Sequence, residues 1–217
     1  MASANEQRVF AATSVAALGP HEVEATVEAA PIEAANDDAP PASMPPSISR
    51  GGTAFGRAVH TVLATVDLDD PVDVDALAHA SAASERVTDA VGVERAARAA
   101  LDAPTVVAAR AAEHRWRELY VAAPVGERGH LIEGYIDLLF EDDSGDLVVV
   151  DYKTDADLET AADRYRLQAA TYALALETTL HRSVARAVFV FCRADGAVER
   201  EVTDLRVAID EVRELTG

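Results

Sequence analysis

Cysteine is almost absent: Cys192 is the only one in 217 residues. A single thiol excludes an intramolecular disulfide framework, a four-cysteine zinc site and a four-cysteine iron–sulfur cluster. It stands in an apolar stretch and reads as a buried structural thiol. Aromatics make up 5% of the chain against 49% for apolar residues as a whole, so the core has to be built from Ala, Val and Leu. Basic residues are scarce as well, 19 against 38 acidic, for a net charge of -19. That excludes a basic nucleic-acid coat protein and a binder of anionic membranes. It leaves room for an enzyme that meets nucleic acid at one local site through a metal ion. No run of 18 apolar residues occurs, so no membrane-spanning helix is expected. No basic segment followed by an apolar one opens the chain, so no secretory signal is expected and the expected compartment is the cytoplasm. The pattern G-x-x-x-x-G-K-[ST] is missing, so the chain is not expected to run a helicase motor by itself.

The remainder divides at about residue 50. Six of the nine prolines fall before it (Pro20, Pro31, Pro40, Pro41, Pro45, Pro46). Residues 31–50 carry few large apolar side chains and read as a Pro/Ala-rich linker. Residues 8–18 are more apolar and suit a short strand or helix docked on something. The expected division is an N-terminal extension with linker over 1–50 and one folded domain over 51–217. Within the domain, helical spacing of Phe55, Val59, Val62, Leu63 and Val66 predicts a helix over 53–66. Short helices are expected over 73–84 and 92–100, and one opened by Pro104 running to about Trp116. Strands are expected over 118–123, 131–140 and 147–153, the last two joined by the turn sequence EDDSGD. A long helix over 158–179, strands over 185–192 and 198–202, and a helix over 205–215 complete the order. Helices, three strands, a long helix, two strands and a helix imply a mixed sheet covered by helices, an α/β arrangement.

The chemistry concentrates on Asp137, Asp151 and Lys153. Strand side chains alternate faces, so Asp151 and Lys153 point the same way, roughly 7 Å apart. A hairpin turning near Ser144 and Gly145 sets Asp137 opposite the region of Asp151, so the two carboxylates sit side by side. Two carboxylates at the end of a buried run are costly unless a cation neutralises them. Oxygen ligands suit a hard ion such as magnesium or manganese. A lysine beside such an ion can orient or deprotonate a water, or stabilise charge on a phosphate. Those are the parts of metal-assisted phosphodiester hydrolysis.

The stretch IEGYIDLLFEDDSGDLVVVDYKTD, followed by YRLQAATYALALE and preceded by GTAFGRAVHTVL, resembles the RecB-type branch of the PD-(D/E)XK nuclease superfamily. The resemblance runs from about Gly51 to the C-terminus. It implies a restriction-endonuclease-like fold, a mixed β-sheet core flanked by helices with an N-terminal helical insertion. It implies a Mg2+- or Mn2+-dependent deoxyribonuclease, exonuclease-like, of the kind that forms the nuclease module of DNA-repair and recombination helicase–nucleases. The alternative is a catalytically weak scaffold or DNA-binding module in a helicase complex. By the resemblance, Asp137 and Asp151 ligate the metal, together with the backbone carbonyl of Tyr152 and with His60. Lys153 is the motif lysine, and Gln168 and Tyr172 form the Q-x-x-x-Y motif of the following helix. Spacing adds that Gln168 and Tyr172, four apart, share one helix face. It adds too that Gly56 and Ala64 give His60 a small-residue face for close approach to the site.

Further expectations attach to charged neighbours. Glu133, of the same strand parity as Asp137, and Glu118, in WRELYV, are candidates for supporting carboxylates. Asp155 is expected to close the turn after Lys153 or to cap the next helix. Arg57, Arg164 and Arg166 are candidates for phosphate contacts. The expected partners are DNA, as single strands or ends, and a helicase motor in cis or trans, in the cytoplasm beside the nucleoid. The charge of -19 repels DNA at long range, so the metal, a partner that delivers the strand, or a salty medium has to offset it.

Overall fold

The structure, a computed structural model, describes residues 8–15, 52–127, 129–155 and 158–217, with side chains throughout except over 158–164. The expected linker over 31–50 lies outside these residues. Six strands form one mixed sheet, with helices on both faces. Its spine is β3 (His130–Glu141). Along one edge β3 pairs antiparallel with β2 (Arg115–Val125), from Arg115↔Phe140 to Val125↔His130. The other edge is shared. Strand β1 (Val9–Ala11) lies parallel to residues 131–133, and β4 (Leu147–Lys153) lies antiparallel to residues 138–141. On that edge, 134–137 pair with neither. The sheet continues from β4 through parallel β5 (Val184–Phe191) to antiparallel β6 (Val198–Glu201).

Local chemistry sets the boundaries. The β3–β4 turn is closed by the Asp142 carboxylate, which accepts from the backbone N–H of Ser144 (2.9 Å) and Asp146 (3.0 Å). Gly145 supplies the left-handed φ of 78° that the turn needs. Helix α2 (Ala54–Thr65) is capped by Thr53, whose hydroxyl accepts from Gly56 N–H at 3.0 Å. Helices α3 (Val74–Glu85), α4 (Ala90–Leu101) and α5 (Pro104–Ala111) follow. The last ends five residues before the expected stop at Trp116. The Arg115 guanidinium donates to the carbonyls of Arg110 and Ala112 at the α5 terminus, and Trp116 is already paired with Leu139 in the sheet. The first residues supply β1 and a one-turn helix α1 (Ala12–Val15), whose Ala12 and Val15 are buried in the sheet's core.

Two apolar clusters clothe the sheet. Beneath α1, α6 (Leu158–Leu180) and α7 (Leu205–Thr216) lie Ile132, Ile136, Leu139, Leu147, Val149 and Phe189. Beneath α2–α5 lie Leu138, Phe140, Val148, Val150, Tyr152 and Cys192. In β4 the faces alternate as a regular strand requires. In β3 they do not: Ile136 and Leu139 share one cluster while Leu138 lies in the other. The strand therefore turns over once, between Ile136 and Leu138. Its partner turns over at the facing residue. Leu119 and Val121 pack with the α6 cluster, whereas Arg117 reaches the Val66 carbonyl on the α2 side. Between them, Glu118 takes a left-handed φ of 51°, a conformation a non-glycine residue rarely adopts.

Candidate functional site

Asp137 stands where β3 turns over, and its carboxylate lies across the open edge of the strand. Oδ2 accepts a hydrogen bond from the Tyr152 backbone N–H at 2.8 Å. The Leu138↔Val150 pairing ends the β3–β4 ladder one step earlier, so a side chain takes over from the ladder at this point. The same register sets Asp137 opposite Asp151. A strand residue sends its N–H and C=O to the same side, so the Tyr152 carbonyl faces this gap too. From α2, His60 Nδ1 comes to 3.3 Å from Asp137 Oδ1, and its ring meets the Tyr152 ring edge-on at 6.2 Å. The helix comes this close because residue 56 is glycine. A Cβ there would sit 2.6 Å from Thr154 Oγ1, beside Lys153.

On the opposite side Lys153 is held from several directions. Its ammonium pairs with Asp151 Oδ2 and donates to Gln168 Oε1 at 3.0 Å. Gln168 Nε2 in turn donates to the Tyr172 hydroxyl at 2.8 Å. The ammonium lies 4.1 Å from the centre of the Tyr165 ring and 5.8 Å from that of Phe189. Tyr172 lies against Gly134 of β3, where a Cβ would come within 2.6 Å of the ring and 3.1 Å of Ala12.

Both aspartates are buried, at 7% and 4% exposure, yet they are driven in opposite directions. Burial pushes the Asp137 carboxyl up, but His60, Lys153 and the Tyr152 N–H outweigh it and hold it below its ordinary 3.8. Burial also pushes Asp151 up; the charge of Asp137 adds to this, and Lys153 offsets only part, so its carboxyl ends above 3.8. Burial pulls Lys153 down, and Asp151 with Asp137 more than restores it, so the amine is held charged. Among the described residues no three His, Cys, Asp or Glu side chains form a ready-made metal cage. The donor set nonetheless is one a divalent ion could take: two buried carboxylates, an imidazole and a backbone carbonyl around one gap in the ladder.

The structure thus gathers His60, Asp137, Asp151, Tyr152, Lys153, Gln168 and Tyr172. It does not bring Arg57 among them: that guanidinium bonds Glu85 Oε2 and the Gly52 carbonyl, both at 2.8 Å. Arg166 pairs with Glu211, and the Arg164 side chain lies outside the described ones. Glu133 is not beside Asp137, because the turn-over of β3 breaks the parity that suggested it; it accepts instead from Tyr120. Glu118 faces Asp137 across the β2–β3 register. Asp155 accepts from the Tyr165 hydroxyl at 2.9 Å. Tyr165, Phe189 and Gly134 escaped the reading of the sequence. The signal for Tyr165 was its spacing, three before Gln168 and so on the same face of α6.

The sequence pattern of the PD-(D/E)XK nuclease superfamily matches residues 37–216. The chain belongs to that superfamily. The six-stranded mixed sheet with flanking helices is accordingly restriction-endonuclease-like. Among curated proteins, the chain is 36% identical to an ATP-dependent helicase/nuclease subunit of Desulforudis audaxviator (strain MP104C), over 60% of this chain and 12% of that much longer protein. Among solved structures, the crystal structure of SSO0001 aligns over 75% of this chain and 71% of that one, at 16% identity and a TM-score of 0.38. No helix among the described residues of this superfamily member is long and apolar enough to cross a membrane.

Proposed function

We propose that the chain is a metal-dependent deoxyribonuclease, the nuclease module of a helicase–nuclease that works in DNA repair or recombination, in the cytoplasm beside the nucleoid. The observation that carries this is the opened β3–β4 ladder, with Asp137 and Asp151 facing each other across it and Lys153 fixed beside them. Residues 51–217 form the nuclease domain, completed by the strand Val9–Ala11. His60, Asp137, Asp151 and the Tyr152 carbonyl hold the ion, Mg2+ or Mn2+. When bound, the ion offsets the charge of the phosphate and lowers the pKa of a coordinated water. The charged Lys153 ammonium orients the attacking water and steadies the phosphate, and Gln168 and Tyr172 keep that ammonium in place. Arg57, by exchange from Glu85, and Arg164 supply phosphate contacts in this reading. With so little positive charge to neutralise phosphates, the domain gains its substrate by delivery from a helicase motor, in cis or in trans. Tethering replaces intrinsic affinity with a local concentration of roughly millimolar.

The test is cleavage of single-stranded DNA with manganese, paired with calorimetric titration of the ion. Wild-type protein is expected to cut and to bind manganese. Asp151→Ala is expected to do neither. Equal manganese binding by both proteins would remove the metal assignment, and absence of cutting by the wild type at high enzyme concentration would remove the nuclease.

A further inference from the structure

Among the described residues, the sheet outruns its helical layer past the turn-over at Asp137. Helices α2–α5 cover Leu138, Phe140, Val148 and Val150. On the same face of the sheet beyond Asp137, Tyr120 is 48% exposed, and Tyr135 and Glu133 are half-buried. Tyr120 and Tyr135 are direct cross-strand partners, with ring centroids 5.1 Å apart and planes inclined at 51°. Neither ring belongs to either apolar cluster. The chain has five tyrosines; the other three, Tyr152, Tyr165 and Tyr172, line the candidate site. The exposed ring is also anchored, since the Tyr120 hydroxyl donates to Glu133 Oε2 at 2.6 Å. Tyr135 stands two residues from Asp137 on one strand, roughly 7 Å away, on the side from which His60 enters.

We infer that Tyr120 and Tyr135 form a stacking platform for the bases of a single-stranded DNA segment next to the phosphate being cut. The inference rests on the nuclease reading. A chain of net charge -19 has little to offer phosphates, whereas stacking on aromatic rings needs no ionic partner and accepts every base. The platform is continuous with the site through β3, so a strand leaving Asp137 on the His60 side runs onto Tyr135 and then Tyr120. Glu133 keeps the outer ring in place and repels misplaced phosphates, which favours bases over backbone on this surface.

The experiment is fluorescence anisotropy with the full chain and calcium, using a labelled oligothymidylate and an abasic strand of equal length. Wild-type protein is expected to prefer the base-bearing strand by about tenfold or more. Tyr120→Ala and Tyr135→Ala are each expected to weaken oligothymidylate about tenfold and leave the abasic strand unchanged, with little change in salt dependence. Wild-type protein that binds both strands equally overturns the platform without any variant being made. So do alanine variants that hold oligothymidylate as tightly as wild type, or that lose both strands alike. Cleavage of bis(4-nitrophenyl) phosphate with manganese separates the two levels. That diester carries no base, so wild type and both tyrosine variants are expected to cleave it equally. Failure of the wild type there counts against the nuclease reading, while success there with no preference among strands counts against the platform alone.

Discussion

On the α6 side of the sheet, the site is one continuous run of bonds from Asp151 through Lys153 and Gln168 to Tyr172, whose ring rests on Gly134. On the α2 side, His60 reaches Asp137 from a helix that closes on the sheet at Gly56 and Thr154. The first arrangement holds a positive charge against a carboxylate, an amide oxygen and an aromatic ring. The second brings His60 up on a separate helix, with its Nδ1 3.3 Å from the Asp137 carboxylate. The difference is one of anchoring: Asp151 and Lys153 belong to a chain of side-chain bonds, whereas Asp137 is held by one backbone amide and a histidine on another helix.

The strongest way to break this comparison is Lys153→Ala. It is expected to lower DNA cleavage by about 10²-fold or more while manganese binding persists, since the amine serves water and phosphate rather than the ion. A variant cutting within threefold of wild type would end the role of the α6 side. Next comes a pair of glycine substitutions. Gly134→Ala drives a methyl into the Tyr172 ring and Ala12, and is expected to destabilise by about 1–3 kcal/mol. Gly56→Ala meets the Thr154 hydroxyl at 2.6 Å and the capping Thr53 hydroxyl at 3.3 Å, both ends of side chains that can shift, and gains up to about 1 kcal/mol of helix propensity in return. Urea denaturation should therefore rank Gly134→Ala as the worse; the reverse order would mean that the α2 side is the rigid one.

A smaller effect is expected at Tyr165. Tyr165→Leu removes the ring beneath the ammonium and should lower kcat about three- to tenfold with KM unchanged, and Tyr165→Phe should restore most of it. Equal loss in both variants would assign the effect to the Asp155 hydrogen bond instead. The smallest is spectroscopic. The bond to Glu133, then partial burial and the Glu133 charge, hold the Tyr120 phenol up to about 12. The neutral phenol is the favoured form. Any stability it lends is complete below its ordinary 10 and disappears as pH rises through about 12. Ultraviolet titration of Glu133→Gln should bring Tyr120 back toward 10, and an unmoved titration would show that the carboxylate does not anchor the ring.

Much of the site was legible because it rests on short-range periodicity. The turn sequence at 141–146 fixed the pairing that sets Asp137 opposite Asp151. The two-residue strand period put Asp151 and Lys153 on one face, and the four-residue helix period put Gln168 and Tyr172 on another. What escaped depends on departures from period or on distant contacts. Parity placed Glu133 near Asp137, and the left-handed residue Glu118 with the turn-over opposite it undid that. Nothing local announces that residues 9–11 lie parallel to 131–133, or that Arg57 finds Glu85. Gly134 was invisible for the same reason: its need for an absent Cβ comes from Tyr172, on an element far along the chain. Helix α5 stops short of Trp116 because the Arg115 guanidinium takes the Arg110 and Ala112 carbonyls, a contact that helical spacing does not encode.

The turn-over of β3 also bears on how the protein comes apart. Ile132, Ile136 and Leu139 belong to one apolar cluster and Leu138 and Phe140 to the other, all on one strand. Melting of either cluster strips β3 of half its buried side chains and releases Asp137, on which the Tyr152 amide depends. The two halves are thereby mechanically linked through a single peptide segment. Unfolding should then proceed as one cooperative transition, with the Tyr152 amide exchanging its hydrogen at the rate of global opening rather than that of a local flicker.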